Sequence, residues 1–140
     1  MTLRKNNVLQ EREIITYDHA QLTADATVIL FKVPSGKKLR IEKATYINPT
    51  GLVAHAANFF NIKIIKATST LIANWSTETG EEGTIAADTF VDLVLGATDA
   101  DQVVVGGAAS GADLVKVLFD EDGTATLPAG RIVIEGRYVH

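Results

Sequence analysis

The chain is a succession of short β-branched and aromatic runs, each stopped by a turn signal before it grows long. Thr27–Val33 is apolar and rich in β-branched residues, which suits a buried strand. Pro34-Ser35-Gly36 ends it, because proline removes a ladder donor and glycine accepts a positive φ. Lys38–Glu42 then alternates with period two, placing Leu39 and Ile41 inward and Arg40 and Glu42 outward. Ala44 and Tyr46 are the next apolar pair, so the parity shifts near Lys43 and predicts a bulge there. Asn48-Pro49-Thr50-Gly51 is a turn. Further strands are predicted at Glu13–Tyr17, Asn58–Lys66, Thr70–Ser76, Thr89–Leu95, Gln102–Val105, Asp113–Asp120 and Arg131–Val139. "LVAHAANFF" (52–60) has room for one helical turn, while 77–83 and 96–113 read as loops. With about eight strands and no long helical period, the expected fold is all-β. It is an antiparallel β-sandwich of jelly-roll-like form occupying 13–140, preceded by an extended polar N-terminal arm at 1–12.

A chain of 140 residues fits one domain able to bury a core without staples, and it has no cysteine. "MTLRKNNVLQERE" has no apolar core segment, so no signal peptide is expected. No uncharged stretch is long enough to span a bilayer as a helix, so no membrane partner is expected. The net charge of -4 hides an asymmetry. Residues 1–70 hold ten Lys/Arg and five Asp/Glu, net +5, and residues 71–140 hold three and twelve, net -9. A mildly acidic chain without a dense basic run argues against nucleic acid as a partner. The opposed halves either complement each other within one fold or form two faces that meet in an assembly.

Motifs for chemistry are sparse. Asp18 and His19 are neighbours on a strand and point to opposite faces, which is poor geometry for a dyad. His55 lies among alanines with no second histidine at ligand spacing. Asp99-Ala100-Asp101 and Asp120-Glu121-Asp122-Gly123 hint at calcium, but the second has Ala129 where an EF-hand loop ends in Glu, and both read better as turns. Ser110 lacks the nucleophile-elbow glycines. Trp75 beside loop 77–83 suits either the core or a sugar platform. No catalytic residue, metal or cofactor is expected, and the chain is read as a non-enzyme. Several strands carry apolar residues on both faces, as in Phe59-Phe60, Ile64-Ile65 and Leu118-Phe119. A sheet with one wet face does not look like that, so either loops or another subunit should cover the second face.

One phrase occurs twice. "VPSGKKLRIE" (33–42) and "LPAGRIVIE" (127–135) each give Pro, a small residue, Gly, a basic residue and an alternating strand, which marks sheet corners. A strand ending in "VPSGKKLRIEKATYINPTG", a Gly/Ala/Asp-rich loop and a final strand after "LPAGRIVIEGRYV" resemble the decoration, or cement, proteins of tailed-bacteriophage heads. The resemblance implies an all-β virion protein on the outer capsid surface, made in the host cytoplasm. It implies self-association as a homotrimer and bridging of major capsid protein subunits that stabilises the mature shell. The arm residues Leu3, Arg4, Lys5, Val8, Leu9 and Arg12 are the candidate partner contacts. A carbohydrate- or receptor-binding sandwich of a head fibre or tail is the alternative.

Overall fold

The protein is described by a computed structural model covering residues 11–139. Its strands are β1 Arg12–His19, β2 Ala26–Lys32, β3 Lys38–Ile47, β4 Phe59–Lys66, β5 Thr70–Ser76, β6 Val91–Asp92, β7 Val94–Leu95, β8 Val103–Val105, β9 Leu114–Asp122 and β10 Gly130–Val139. Among the described residues one short helix, α1 at Asp99–Gln102, precedes β8. The first sheet runs β1-β10-β3-β6, with β8 also on β3, and the second runs β2-β9-β4-β5-β7.

The main pairings are nested. β4 pairs with β5, β3 with β8, β2 with β9 and β1 with β10, all antiparallel. This is one long ribbon folded at the β4–β5 hairpin and rolled so that its rungs alternate between two sheets, which is a jelly roll. The expected sandwich is therefore present, with ten strands among the described residues because β6 and β7 are two-residue additions between β5 and β8.

Alternation builds the core. β9 and β10 bury every second residue over most of their length. Phe60, Ile62 and Ile64 of β4 and Val117 and Phe119 of β9 face Leu39, Ile41 and Tyr46 of β3 and Ile132 and Ile134 of β10. All are 0–1% exposed, and burying one such side chain is worth about 1.5–3 kcal/mol. The predicted bulge lies on β3, where Ile41 and Lys43 flank Glu42 opposite consecutive residues Gly136 and Glu135. It lets Glu42 and Lys43 both face solvent and returns Ala44 and Tyr46 to the core.

Both copies of the repeated phrase are corners. Pro34–Lys37 carries the chain from the second sheet to the first, and its turn is closed by the Lys37 N–H donating to the Pro34 carbonyl (3.1 Å). Leu127–Gly130 makes the same crossing from β9 to β10.

Some expectations need correction. Thr89–Leu95 is not one strand: β6 joins the first sheet and β7 the second, with Leu93 buried at the switch. Segment 52–60 contains no helical turn, and the helix lies at Asp99–Gln102 inside the expected loop. Arg12 belongs to β1, opposite Arg137, so the strand starts inside the expected arm. Leu3, Arg4, Lys5, Val8 and Leu9 lie outside the described residues.

The charge halves meet within the fold. Lys32–Asp113 (4.0 Å), Arg40–Asp99 (3.6 Å) and Lys63–Asp120 (3.1 Å) each join a first-half base to a second-half acid. Nested pairing places early strands beside late ones, so complementary halves are a consequence of the topology.

Candidate functional site

The site is built where segment 85–93 crosses the rim of the first sheet. Ile85 is buried and bridges to Leu52, and the Asp88 N–H donates to the Asn48 carbonyl (3.0 Å). These ties fix the parity of residues 90–93. Val91 and Leu93 turn toward the core, so Phe90 points out and is 57% exposed. Two adjoining depressions share Phe90 as a wall. One, of about 440 Å³, is lined by Asp18, Ile47, Pro49, Phe90 and Arg131. The other, of about 350 Å³, is lined by Lys43, Thr45, Phe90, Asp92 and Glu135. Together they form an apolar trough with charged rims, the general form of a binding surface rather than a closed reaction chamber.

Opposite Phe90, Asp18 and Arg131 form a fork. Arg131 Nε donates to Asp18 Oδ1 at 2.6 Å and Nη2 donates to Oδ2 at 3.1 Å. The guanidinium holds the exposed Asp18 carboxyl below its ordinary value, and Asp18 in turn raises Arg131. The pair presents both donors and acceptors to a visitor, because neither group is exhausted by the fork.

A buried polar chain runs inward from the floor of the trough, which His19 helps to line. Asn48 Nδ2 donates to the Pro128 carbonyl (2.6 Å) and to the Tyr46 hydroxyl (3.0 Å). Tyr46 donates to His19 Nε2 (2.6 Å), and His19 Nδ1 donates to the Ala20 carbonyl (2.7 Å). The carbonyl accepts only, so Nδ1 carries a proton, and burial favours the neutral ring with Nε2 as acceptor. The ring stacks on Tyr46 and lies tilted against Phe119. Burial lowers the His19 pKa and pushes Tyr46 up to about 12. Gly130 closes this chain from outside, since a Cβ there would strike the Tyr46 hydroxyl and lie 2.8 Å from the Ile47 carbonyl oxygen.

The buried imidazole makes stability depend on pH. The unfolded chain takes up a proton on His19 near 6.5, while the folded chain resists it because its pKa is lower. Stability from this group is complete above pH 6.5 and falls as the pH drops toward the folded value, by at most about 1.4 kcal/mol per pH unit. Urea melts at pH 7.5 and pH 5.5 are expected to show a lower midpoint at pH 5.5. His19→Gln should remove most of that difference.

The other candidate residues have structural positions. Asp18 is exposed and His19 buried, on opposite faces as expected. His55 Nδ1 accepts from the N–H groups of Ala57 (3.0 Å) and Asn58 (2.9 Å), which shapes the turn into β4. Trp75 is half-buried against the core, and its indole N–H donates to the Gly83 carbonyl (3.1 Å), so loop 77–83 closes over it. Asp99 and Asp101 sit in the first turn of α1 below the Thr98 cap. Asp120 pairs with Lys63. Ser110 has φ 59° in a turn. Among the described residues no cluster of three or more His, Cys, Asp or Glu could hold a metal, and no helix is long and apolar enough to cross a membrane.

Both faces of the sandwich carry uncovered apolar side chains. Ile14 and Phe90 project from the first sheet, at 65% and 57% exposure. Ile29 and Val94 project from the second, at 60% and 55%. Phe59 and Ile65, by contrast, are covered within the chain.

No protein-family model and no curated protein sequence matches the chain. Among solved structures it is similar to the infectious bursal disease virus Gx strain, with 10% identity and a TM-score of 0.28 over 91% of this chain and 40% of that one. It is similar to the Gt strain of the same virus, with 12% identity and a TM-score of 0.25 over 93% and 42%. A third is the VP2 subviral particle of infectious bursal disease virus, with 12% identity and a TM-score of 0.27 over 91% and 41%. The chain spans about two fifths of the length of these neighbours. A likeness at this level shows no shared function.

Proposed function

We propose that the protein is a non-catalytic structural component of a virus particle. It binds the outside of a tailed-phage capsid and stabilises the mature shell by bridging major capsid subunits. The observation that carries this reading is the set of exposed apolar side chains on both sheets, Ile14 and Phe90 toward opposite edges of the first and Ile29 and Val94 at opposite edges of the second. The Phe90 trough, apolar with charged rims, has the form of a protein contact surface, and exposed apolar side chains on both sheets suit a molecule held between others. Many equivalent copies on one lattice make modest contacts sufficient. His19 and His55 serve as structural bonding groups, in keeping with a role in binding. The test is co-sedimentation with undecorated heads of the phage that encodes it. Pelleting at about 10 μM protein is expected, with Phe90→Ala weakening it about tenfold at unchanged stability, since a buried aromatic contact is worth at least about 1.4 kcal/mol. Absence of wild-type protein from the pellet at that concentration would sink the proposal.

A second reading is favoured by Phe90 facing the Asp18–Arg131 fork, an apolar platform beside paired donors and acceptors suited to a sugar ring. Trp75, tied down by loop 77–83, does not supply that platform. Glycan-array screening with and without calcium separates the two, and silence in both conditions counts against sugar binding.

A further inference from the structure

The four outer edges of the two sheets are not alike. β6 has two residues, β7 two and β8 three, too short to template another strand. β2 is interrupted by a register shift between Ile29 and Phe31 and ends on Lys32. Short length, irregularity and lysine are the devices by which proteins blunt sheet edges. β1 has none of them. It runs eight residues, Arg-Glu-Ile-Ile-Thr-Tyr-Asp-His, without Pro, Gly or Lys and in unbroken register with β10. Among the described residues nothing pairs with its outer side.

The direction of its free groups is fixed. The Tyr138 N–H donates to the Glu11 carbonyl (3.1 Å), so odd-numbered residues of β1 face β10. The N–H and C=O groups of Arg12, Ile14, Thr16 and Asp18 therefore point away from the sheet, and their side chains lie on its outer face.

We infer that β1 is a self-pairing edge and that its occupant is β1 of a second copy, antiparallel about a two-fold axis at Ile15. In this register Arg12 lies opposite Asp18 of the second copy, Ile14 opposite Thr16, Glu13 opposite Tyr17, and Ile15 opposite itself. The outward row is cation against carboxylate and β-branched against β-branched, the favourable cross-strand pairs. The even-numbered residues meet in hydrogen-bonded pairs and supply ~8 backbone bonds. Neighbouring registers are worse. An axis at Thr16 sets Ile14 against Asp18, and one at Ile14 leaves Asp18 without a partner on β1. Arg12 and Arg137 both lie against Glu42 (3.4 and 3.6 Å) and Asp18 against Arg131, so the Arg12–Asp18 pairs would extend charge networks already present on each copy. The contact is isologous and closes with two copies, so it makes a dimer in place of the trimer that the resemblance implies. It does not depend on capsid binding, because it is read on the isolated protein.

Sedimentation velocity and directed cross-linking test it. The wild-type chain is expected to sediment as a dimer at about 100 μM, a concentration at which edge pairing of even modest affinity is populated. Thr16→Pro removes an N–H that faces only the free edge, so it should give a monomer with unchanged circular dichroism. The chain has no cysteine, so engineered thiols report the register without background. Oxidising a mixture of Ile14→Cys and Thr16→Cys chains should form the mixed disulfide, while each variant alone stays uncross-linked. A monomeric or trimeric wild type overturns the inference, and so does efficient cross-linking of Ile14→Cys alone. If Thr16→Pro fails to fold, the mixed disulfide decides.

Discussion

Gly106→Ala is expected to destabilise the fold by about 4 kcal/mol, near the upper end for a single methyl group. The Gly106 N–H donates to the Lys37 carbonyl (2.8 Å), which docks the end of β8 against the β2–β3 corner. A Cβ at 106 would collide with the Pro34 carbonyl oxygen and lie 2.5 Å from its carbon and 2.9 Å from the Lys37 oxygen. All three obstacles are backbone, and the turn that holds them is closed by its own hydrogen bond. The corner cannot yield by rotating a side chain. Equilibrium urea unfolding measures the loss. Gly36→Ala, in the same corner but with open space around it and φ +87°, should cost only about 1–2 kcal/mol.

Asn48→Ala should cost about 3–5 kcal/mol, because one fully buried side chain satisfies groups from three segments. Its Nδ2 holds the Pro128 carbonyl and the Tyr46 hydroxyl, and its Oδ1 accepts from the N–H groups of Thr50 and Gly51 at 3.0 Å each. Alanine leaves a carbonyl and two amides without their partners. It also frees the Tyr46 hydroxyl from one side of the chain that orients His19. Thermal unfolding should drop by roughly 10 °C. Asn48→Asp keeps the acceptor and loses the donors, so its midpoint should fall between wild type and alanine. A midpoint within a few degrees of wild type for Asn48→Ala would show that the 48–51 turn stands without this side chain.

Both sites separate local signals in the sequence from contacts that only folding creates. Alternation in Lys38–Tyr46 revealed both the inward set and the bulge, because a bulge shifts parity and parity is written in the residues. Pro-x-Gly revealed the corners for the same local reason. Periodicity says inward or outward but not which sheet. Thr89–Leu95 therefore looked like one strand, although Leu93 stays inward while the chain changes sheets around it. Polar strand ends were also invisible. Arg12, Asp18 and His19 belong to β1 because β10 is long enough to pair them, not because they are apolar. The four residues of α1 are too few to show a helical period, although Thr98 before Asp99 was a capping signal.

The candidate site divides in the same way. The outward parity of Phe90 was legible, and so was the opposition of Asp18 and His19. The Asp18–Arg131 fork and the His19–Tyr46–Asn48 chain were not, since they join residues that only the rolled ribbon brings together. A buried histidine bonded to a tyrosine looks like chemistry in isolation. Here both ring nitrogens are bonded, Nδ1 to the Ala20 carbonyl and Nε2 to the Tyr46 hydroxyl, so the ring is tied into the packing at the floor of the trough. The outside of the sandwich is left as surface for contact, and the proposal that the protein reinforces a shell rests on that surface.

Scanning calorimetry of undecorated phage heads, with and without saturating protein, is the decisive test of that role. A ligand that binds the intact shell and not its dissociated subunits must raise the shell's disruption temperature with concentration. Such a rise is expected here, and it should be lost when Phe90→Ala replaces the wild type. Heads that disrupt at the same temperature at every protein concentration would contradict a reinforcing role.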